Sequence, residues 1–379
     1  MNWAKNVRGV WVEPSPEEVI EQLAIIPRLK RTGKIALCLA GGGSEGLLYE
    51  LGVLRAFERF LPERPIIDFD LFCGISAGAI IGGLLANGIG PDEILEGMSG
   101  KESRVSPISR REIYDINLPE FRKRLLHLAK GMWARSLAED PISSLGEMVP
   151  SGIFKGEGLS RWLEKQFNRP GMSNHFDGLR KPLFIGATDQ DSSKAVVFGE
   201  ENFKHVPLHK AIRASAALAP FYAPEEIGGR YYIDGAFTRT TNMRVAVNHG
   251  ATLVILVDPL VPLLSRNAGY VFDRGGLFGT LQGLKAIVNG RFDKTVYALR
   301  EMFPDVHFHL FRPEGEEMRL MAGSPMKVFL RKELADVAYA STTEKIRSAF
   351  PKLRRDFAEH GVLFRDPEEI PETRTSVSL

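Results

Sequence analysis

The chain has 379 residues, enough for two domains or for one large α/β domain with extensions. Hydrophobic residues make up 44% and charged residues 25%, which is the composition of a protein with a packed core and excludes wholesale disorder. A formal net charge of +2 lacks the strong basic excess from which nucleic-acid binding would be argued, so no nucleic acid is expected as a partner.

In chain order, the N-terminal stretch has no apolar h-region and no cleavage-site pattern, so no secretory signal is expected. Residues 1–33 read as a polar, partly helical extension, with Ser15 as cap, Pro16 in the first turn and Glu17 and Glu18 near the positive helix end. Ile35 to Ala40 is a continuous apolar run that predicts a strand buried on both faces. Leu47 to Phe60 follows with Leu47, Leu51 and Leu54 at helical spacing. The unit repeats, with a short strand over Asp70–Gly74 and a small-residue helix from Ala77 to about Asn87.

Leu71 to Gly90 carries no charged residue and meets the length rule for a membrane span. Its Gly, Ala and Ser content and the flanking Asp68, Asp70 and Asp92 favour a buried strand, turn and helix instead. Cys38 and Cys73 lie inside these apolar runs, as reduced thiols of a cytoplasmic protein would, and their spacing makes no zinc site.

Residues 101–135 hold nine Lys or Arg and four Asp or Glu, an excess of five. Phe121, Leu125, Leu128 and Met132 share one helical face there, with Trp133 beside it and Arg122, Lys123, Arg124 and Lys130 off it. Such a basic helical insertion, set at 101–140, suits peripheral contact with an anionic membrane surface, or an ordinary packed helix with a solvated basic face. Further strands are expected at 183–188, 195–198, 231–234, 253–258 and 307–312, with helices over Leu159–Phe167 and Lys210–Ala217 between them. Alternating strands and helices predict an α/β fold in three layers, α/β/α, with a mostly parallel central sheet. The main domain is placed at 34–350, with a polar C-terminal tail over 351–379.

Three sites carry chemistry. Gly41-Gly42-Gly43-Ser44-Glu45-Gly46 joins a strand to a helix, where backbone N–H groups form an anion cradle for a phosphate or an oxyanion. The same string matches a dinucleotide fingerprint, whose acid would have to be Asp68 or Asp70, before the second strand instead of at its end. Gly74-Ile75-Ser76-Ala77-Gly78 has the spacing of a nucleophile elbow, where only small residues fit around a serine pushed above the sheet. Gly42-Gly43-Ser44-Glu45-Gly46 matches the same pattern, but the Glu45 carboxylate would oppose an oxyanion beside Ser44, so Ser76 is preferred. Asp234-Gly235-Ala236 closes the strand-like RYYID and offers a base. A triad of Ser76 and Asp258 with His307 or His309 is the alternative, although both histidines lie within a strand-like run.

In this order, GGGSEG, then GISAG, then DGA resemble the patatin-like phospholipase family. FIGATDQDSSKAVVF, SGIFKGEGLSRWLEKQF and AIRASAALAPFYAPEEIGGRYYIDGAF are similar to further segments of that family. The resemblance runs from about Lys34 to Asp258, and more faintly to about Arg347. It implies the patatin-like fold and a lipid acyl hydrolase with a Ser–Asp dyad and no metal or cofactor. Ser76 would attack the ester of an acyl lipid or phospholipid, and Asp234 would be the base. Gly41, Gly42 and Gly43 would form the oxyanion hole, with Gly46, Gly74, Ala77, Gly78, Gly235 and Ala236 supporting the motifs. Two departures stand out: Glu45 replaces the family's usual Arg or Lys, and ASAALAP is one residue longer before its proline. A silent lipid-binding protein on the same fold and an acyltransferase are the alternatives, and the oligomeric state is left open.

Overall fold

The computed structural model describes residues 33–131, 150–238, 241–265, 267–321 and 332–370. The N-terminal extension up to residue 32, with its Ser15 helix start, lies outside them, as do Met132, Trp133 and the rest of the expected insertion to 140.

Eight strands among these residues make one sheet: β1 (Lys34–Leu39), β2 (Leu71–Gly74), β3 (Leu183–Asp189), β4 (Lys194–Phe198), β5 (Glu225–Ile227), β6 (Arg230–Asp234), β7 (Ala251–Val257) and β8 (His307–Phe311). Their order is β5-β6-β3-β2-β1-β7-β8, with β4 paired to β3. The run β3-β2-β1-β7-β8 is parallel throughout, and β4, β5 and β6 add antiparallel pairings at one side. From β1 the chain proceeds to β2 on one side, while β7 takes the other, so the strand order reverses at β1.

The helices that position the site are α1 (Gly43–Phe60), α2 (Ala77–Ala86), α3 (Leu118–Gly131), α4 (Leu208–Ser215), α5 (Gly276–Met302) and α6 (Lys332–Ala358). Side chains alternate across each strand, and both faces are covered. Ile35, Leu37 and Leu39 of β1 join a core with Leu51 and Phe57 of α1, Leu84 of α2 and Leu334 of α6. Ala36 and Cys38 join a second core with Val245 and with Phe292, Val296 and Leu299 of α5. The result is a three-layer α/β/α fold with a mostly parallel sheet. Cys38 and Cys73 are buried, in register on β1 and β2, and not joined by a disulfide.

No helix among the described residues is long and apolar enough to cross a membrane. Leu71 to Ile89 is instead β2, a turn and α2, buried along its whole length. Two boundaries differ from expectation. Helix α1 begins at Gly43, so Gly43 to Gly46 form its first turn instead of a free loop. Helix α6 runs through Pro351 to Ala358, and Leu353, Phe357, Phe364 and Ile370 are buried, so the segment read as a polar tail packs on the core as far as 370.

Candidate active site

β1 and β2 are parallel neighbours with Leu39 opposite Gly74, so whatever follows each strand emerges at the same edge of the sheet. The glycine segment follows β1 and Ser76 follows β2. Ile75 N donates to Leu39 O (3.1 Å) and Gly78 N donates to Ala40 O (3.2 Å), which ties the two turns together. A β-carbon on Gly78 would stand 2.5 Å from Leu39 Cβ, and one on Gly74 would stand 2.5 Å from Gly78 O, so neither position admits a larger residue. This crowding forces the turn: Ser76 sits at φ 55°, ψ −119°, a left-handed conformation that a non-glycine residue adopts at a cost of about 1–3 kcal/mol. Ser215 helps to hold it. At the end of α4, its Oγ accepts from Ser76 N (2.8 Å) and donates to Gly186 O (2.6 Å).

Asp234 ends β6, which pairs with β3 through Ala187. Its Oδ1 accepts from Ala236 N at 2.8 Å, and the Ser76 hydroxyl lies near enough to its carboxylate to favour the ionised form. Asp234 is 1% exposed and Ser76 7% exposed. Burial pushes the Asp234 carboxyl up to about 6, and the Ala236 N–H and the Ser76 hydroxyl pull it part of the way back. Gly235 lies against Gly186 O, and Arg291 of α5 donates to Ala236 O (2.5 Å) and Phe237 O (2.8 Å), clamping the turn from outside.

The position of a β-carbon on Gly41 would be 3.6 Å from Ser76 Oγ, so its backbone adjoins the hydroxyl. Gly42 and Gly46 pack on Pro259, which follows β7. Among the described residues, no protein group accepts from the N–H of Gly41, Gly42, Gly43 or Ala77. A single cavity is lined by Gly41, Gly42, Gly43, Ser76, Ala77, Asp234 and Ala236. Apolar side chains make up much of the rest of the lining, among them Ile80, Leu159, Leu260, Phe278 and Leu281.

The alternatives do not assemble. Asp258 is bound by Arg312 (Nε 3.0 Å, Nη2 2.9 Å), and His309 Nε2 lies 2.9 Å from Asp356 on the α6 side. No histidine is among the residues lining the cavity. Asp70 accepts from Ile35 N at 2.7 Å, at the start of β1 and the opposite end of the sheet from the glycine turn. Asp70 therefore does not face that turn as a ribose-binding acid would.

The sequence model described as patatin-like phospholipase matches residues 37–247, which spans the glycine turn, the Ser76 elbow and Asp234. The chain belongs to the patatin-like phospholipase family. Relatives include uncharacterized NTE family proteins of Mycobacterium bovis and Mycobacterium tuberculosis, 27% identical over 227 residues that cover 59% of this chain and 49% of each relative. The chain thus spans about half the length of the curated relatives it matches. Solved structures with some likeness include VipD from Legionella pneumophila, with a TM-score of 0.36, 13% identity and coverage of 85% of this chain and 68% of that one. Human GIVD cytosolic phospholipase A2, in complex with methyl gamma-linolenyl fluorophosphonate, gives 0.37, 12%, 91% and 62%. Family membership rests on the sequence match.

Family motifs contain the elbow and the aspartate, but three residues that shape this site carried no role in the sequence reading. Ser215 lies in the Ala-Ser segment, and its spacing from Ser76 gives no sign of their contact. Arg291 and Lys285 lie on α5, beyond the matched residues, and nothing local to them signals that the helix returns over the cavity.

Proposed function

We propose that the protein is a lipid acyl-ester hydrolase in which Ser76 is the nucleophile and Asp234 its general base. The observation that carries this reading is a strained serine and a buried carboxylate that act on one another and line the same largely apolar cavity. Ser76 Oγ attacks the ester carbonyl as its proton passes to Asp234. The carbonyl oxygen becomes an oxyanion, and the N–H groups of Gly41, Gly42, Gly43 and Ala77 are the donors available to it. Collapse expels the alcohol, which takes the proton from Asp234 and leaves an acyl-Ser76. Asp234 then draws a proton from water, which attacks the acyl group; the acyl–Oγ bond breaks, Ser76 takes the proton back from Asp234, and the carboxylic acid departs.

Burial makes the weak base useful. A carboxyl near about 6 is a better proton acceptor than one near about 4 while remaining ionised at neutral pH. Apolar walls supply room for acyl chains. Access from a membrane surface is part of the same proposal, because apolar side chains are exposed in the segments that continue from two sides of the lining.

The test is labelling with a fluorophosphonate ester probe followed by peptide mapping. One adduct on Ser76, greatly reduced in Asp234→Asn, is expected, together with loss of ester turnover in a folded Ser76→Ala protein. An adduct on Ser44 would move the nucleophile to the glycine turn. Absence of any adduct would leave a silent lipid-binding protein.

A further inference from the structure

We propose that Ser215 is a positioning residue for the reaction: with Ala217 it forms a bracket at the end of α4 that holds the nucleophile and its base in fixed relation. This rests on the hydrolase reading above and deepens it. The bracket grips both members by their backbone. Ser76 N donates to Ser215 Oγ at 2.8 Å, and Asp234 N donates to Ala217 O at 3.0 Å. A third bond closes the arrangement, from Ser215 Oγ to Gly186 O at 2.6 Å. Gly186 precedes Ala187, the β3 residue paired with Asp234, and a β-carbon on Gly235 would stand 2.5 Å from that same carbonyl. One hydroxyl therefore ties the elbow after β2 to the strand against which the aspartate is set. The sheet alone does not make this link, because β2 pairs with β3 only as far as Gly74, opposite Ile185 and two residues before Ser76.

A hydroxyl suits this place because it accepts from an N–H and donates to a carbonyl at once, without carrying charge. Ser215 is fully buried, so bulk water does not stand in for either bond. The bracket is itself anchored. Ala211, Ile212 and Ala214 of α4 belong to the same core as Leu84 of α2, and Ala216 N donates to Ile212 O at 2.9 Å. The buried Arg213 side chain fixes the helix further, donating to Gly156 O (2.9 Å), Lys155 O (2.6 Å) and Ala223 O (2.8 Å). A serine in a left-handed conformation persists only where its surroundings over-determine it, and Ser215 bonds the strained residue directly. Without that bond the elbow is free to relax and to carry the Ser76 hydroxyl away from Asp234. Attack is sensitive to such a shift, since a displacement of about 1 Å costs on the order of a hundredfold in rate. Ser215 is not among the residues lining the cavity, so its loss leaves the acyl-binding walls in place.

The experiment compares kcat, KM and the pH profile of the full chain on 4-nitrophenyl butyrate for the wild type, Ser215→Ala, Ser215→Cys and Ile212→Val. Ser215→Ala is expected to lower kcat about tenfold to a hundredfold with KM changed by no more than about twofold. It should also raise the apparent pKa of kcat/KM, because the Ser76 hydroxyl now favours the ionised form of Asp234. Glu45 on α1, Lys285 on α5, Tyr114 and Tyr222 are the other titratable side chains among the described residues of the lining, and they are the same in every variant. Ile212, fully buried on the same helix, loses packing alone, so Ile212→Val should lose stability and keep both kcat and the profile. Ser215→Cys, whose thiol makes weaker hydrogen bonds, is expected to fall between the wild type and Ser215→Ala, and it serves if Ser215→Ala does not fold. A folded Ser215→Ala or Ser215→Cys with wild-type kcat and profile overturns the proposal, as does a loss confined to KM or an equal loss of kcat in Ile212→Val. A wild type labelled on Ser76 by the fluorophosphonate, with indifferent Ser215 variants, sinks this inference alone. Failure to label Ser76, with no turnover of any ester by the wild type, sinks the hydrolase reading and this inference with it.

Discussion

An aspartate in water ionises near pH 4, and Asp234, enclosed at the end of β6, holds its proton up to about 6. Two consequences follow at this residue. In the proposed role of base it must be ionised, so kcat/KM on a neutral ester is expected to rise with pH and level off above an apparent pKa near 6, measured with the free enzyme. A profile flat from pH 5 to 8 would remove Asp234 from that role. The second consequence concerns stability. The folded state binds the proton more tightly than the unfolded chain, so the native state loses stability as pH rises from about 4 to about 6, by on the order of 3 kcal/mol for a shift of about two units. Asp234→Asn keeps an acceptor for the Ala236 N–H and cannot ionise. It should therefore be more stable than the wild type at pH 8 by about 1–3 kcal/mol and nearly equal to it at pH 4, by chemical denaturation at both values. Activity would move the opposite way, falling by about two orders of magnitude or more. The glycine turn and the Ser76 elbow are legible in the chain because each motif is local, a few residues whose spacing is itself the geometric requirement, whereas Asp234 is singled out only by the family resemblance; the structure brings all of them to one cavity. Ser215 and Lys285 are not legible there, since each reaches the site across more than a hundred residues, and no short pattern records such a contact.

At the scale of elements, the same contrast separates strands from the last helix. Strands buried on both faces leave continuous apolar runs, and every run read as a strand is one, within a residue or two. Strand β5, three residues reading Glu225-Glu226-Ile227, has no such run and shows itself only by pairing with β6. Pro351 and the charged stretch after it have the look of a helix end, yet α6 passes through the proline because its other face is held by α1. Beyond α6 the chain turns back, and Arg365 N donates to Phe60 O at 2.9 Å. The Phe364 ring stacks on Phe357 (4.9 Å between centroids) and on Phe60 (5.5 Å). Phe364→Ala should therefore cost about 3–5 kcal/mol of unfolding free energy, the range for emptying a packed aromatic site. A chain ended at residue 350 should fail to fold cooperatively. A truncated protein with wild-type melting behaviour would return the segment to the status of a tail.

Across the whole molecule, the cavity lies next to segments with exposed apolar side chains and cations. The cavity is lined mainly by apolar side chains, while the sequence of the 101–135 segment is basic by five charges. Ile113 and Tyr114 line the cavity, and Ile116, Leu118, Phe121 and Leu126 continue from them at 53–66% exposure, with Arg122 and Lys123 exposed alongside. From another side, Leu263 and Phe278 line the cavity, and Leu264 and Phe272 lie near them in the chain at 81% and 86% exposure. Exposed aromatic and aliphatic side chains interspersed with cations suit an interface where acyl chains meet anionic head groups. The expected consequence is a surface drawn to anionic lipid by charge. Each basic residue near an anionic membrane contributes about 1 kcal/mol, and burying a phenylalanine side chain adds about 2–3 kcal/mol. Sedimentation with vesicles containing phosphatidylserine should therefore bind the protein at least about tenfold more tightly than phosphatidylcholine vesicles at 0.05 M salt, with the preference shrinking at 0.5 M as charges are screened. Phe121→Asp together with Phe272→Asp should lower binding to both vesicle types by about tenfold or more, while turnover of a soluble nitrophenyl ester stays near wild type. Equal binding to the two vesicle types would discard the basic segment as a membrane contact. Binding unaffected by the double substitution would show that these exposed side chains face water in the bound state, and that the cavity is reached from another side.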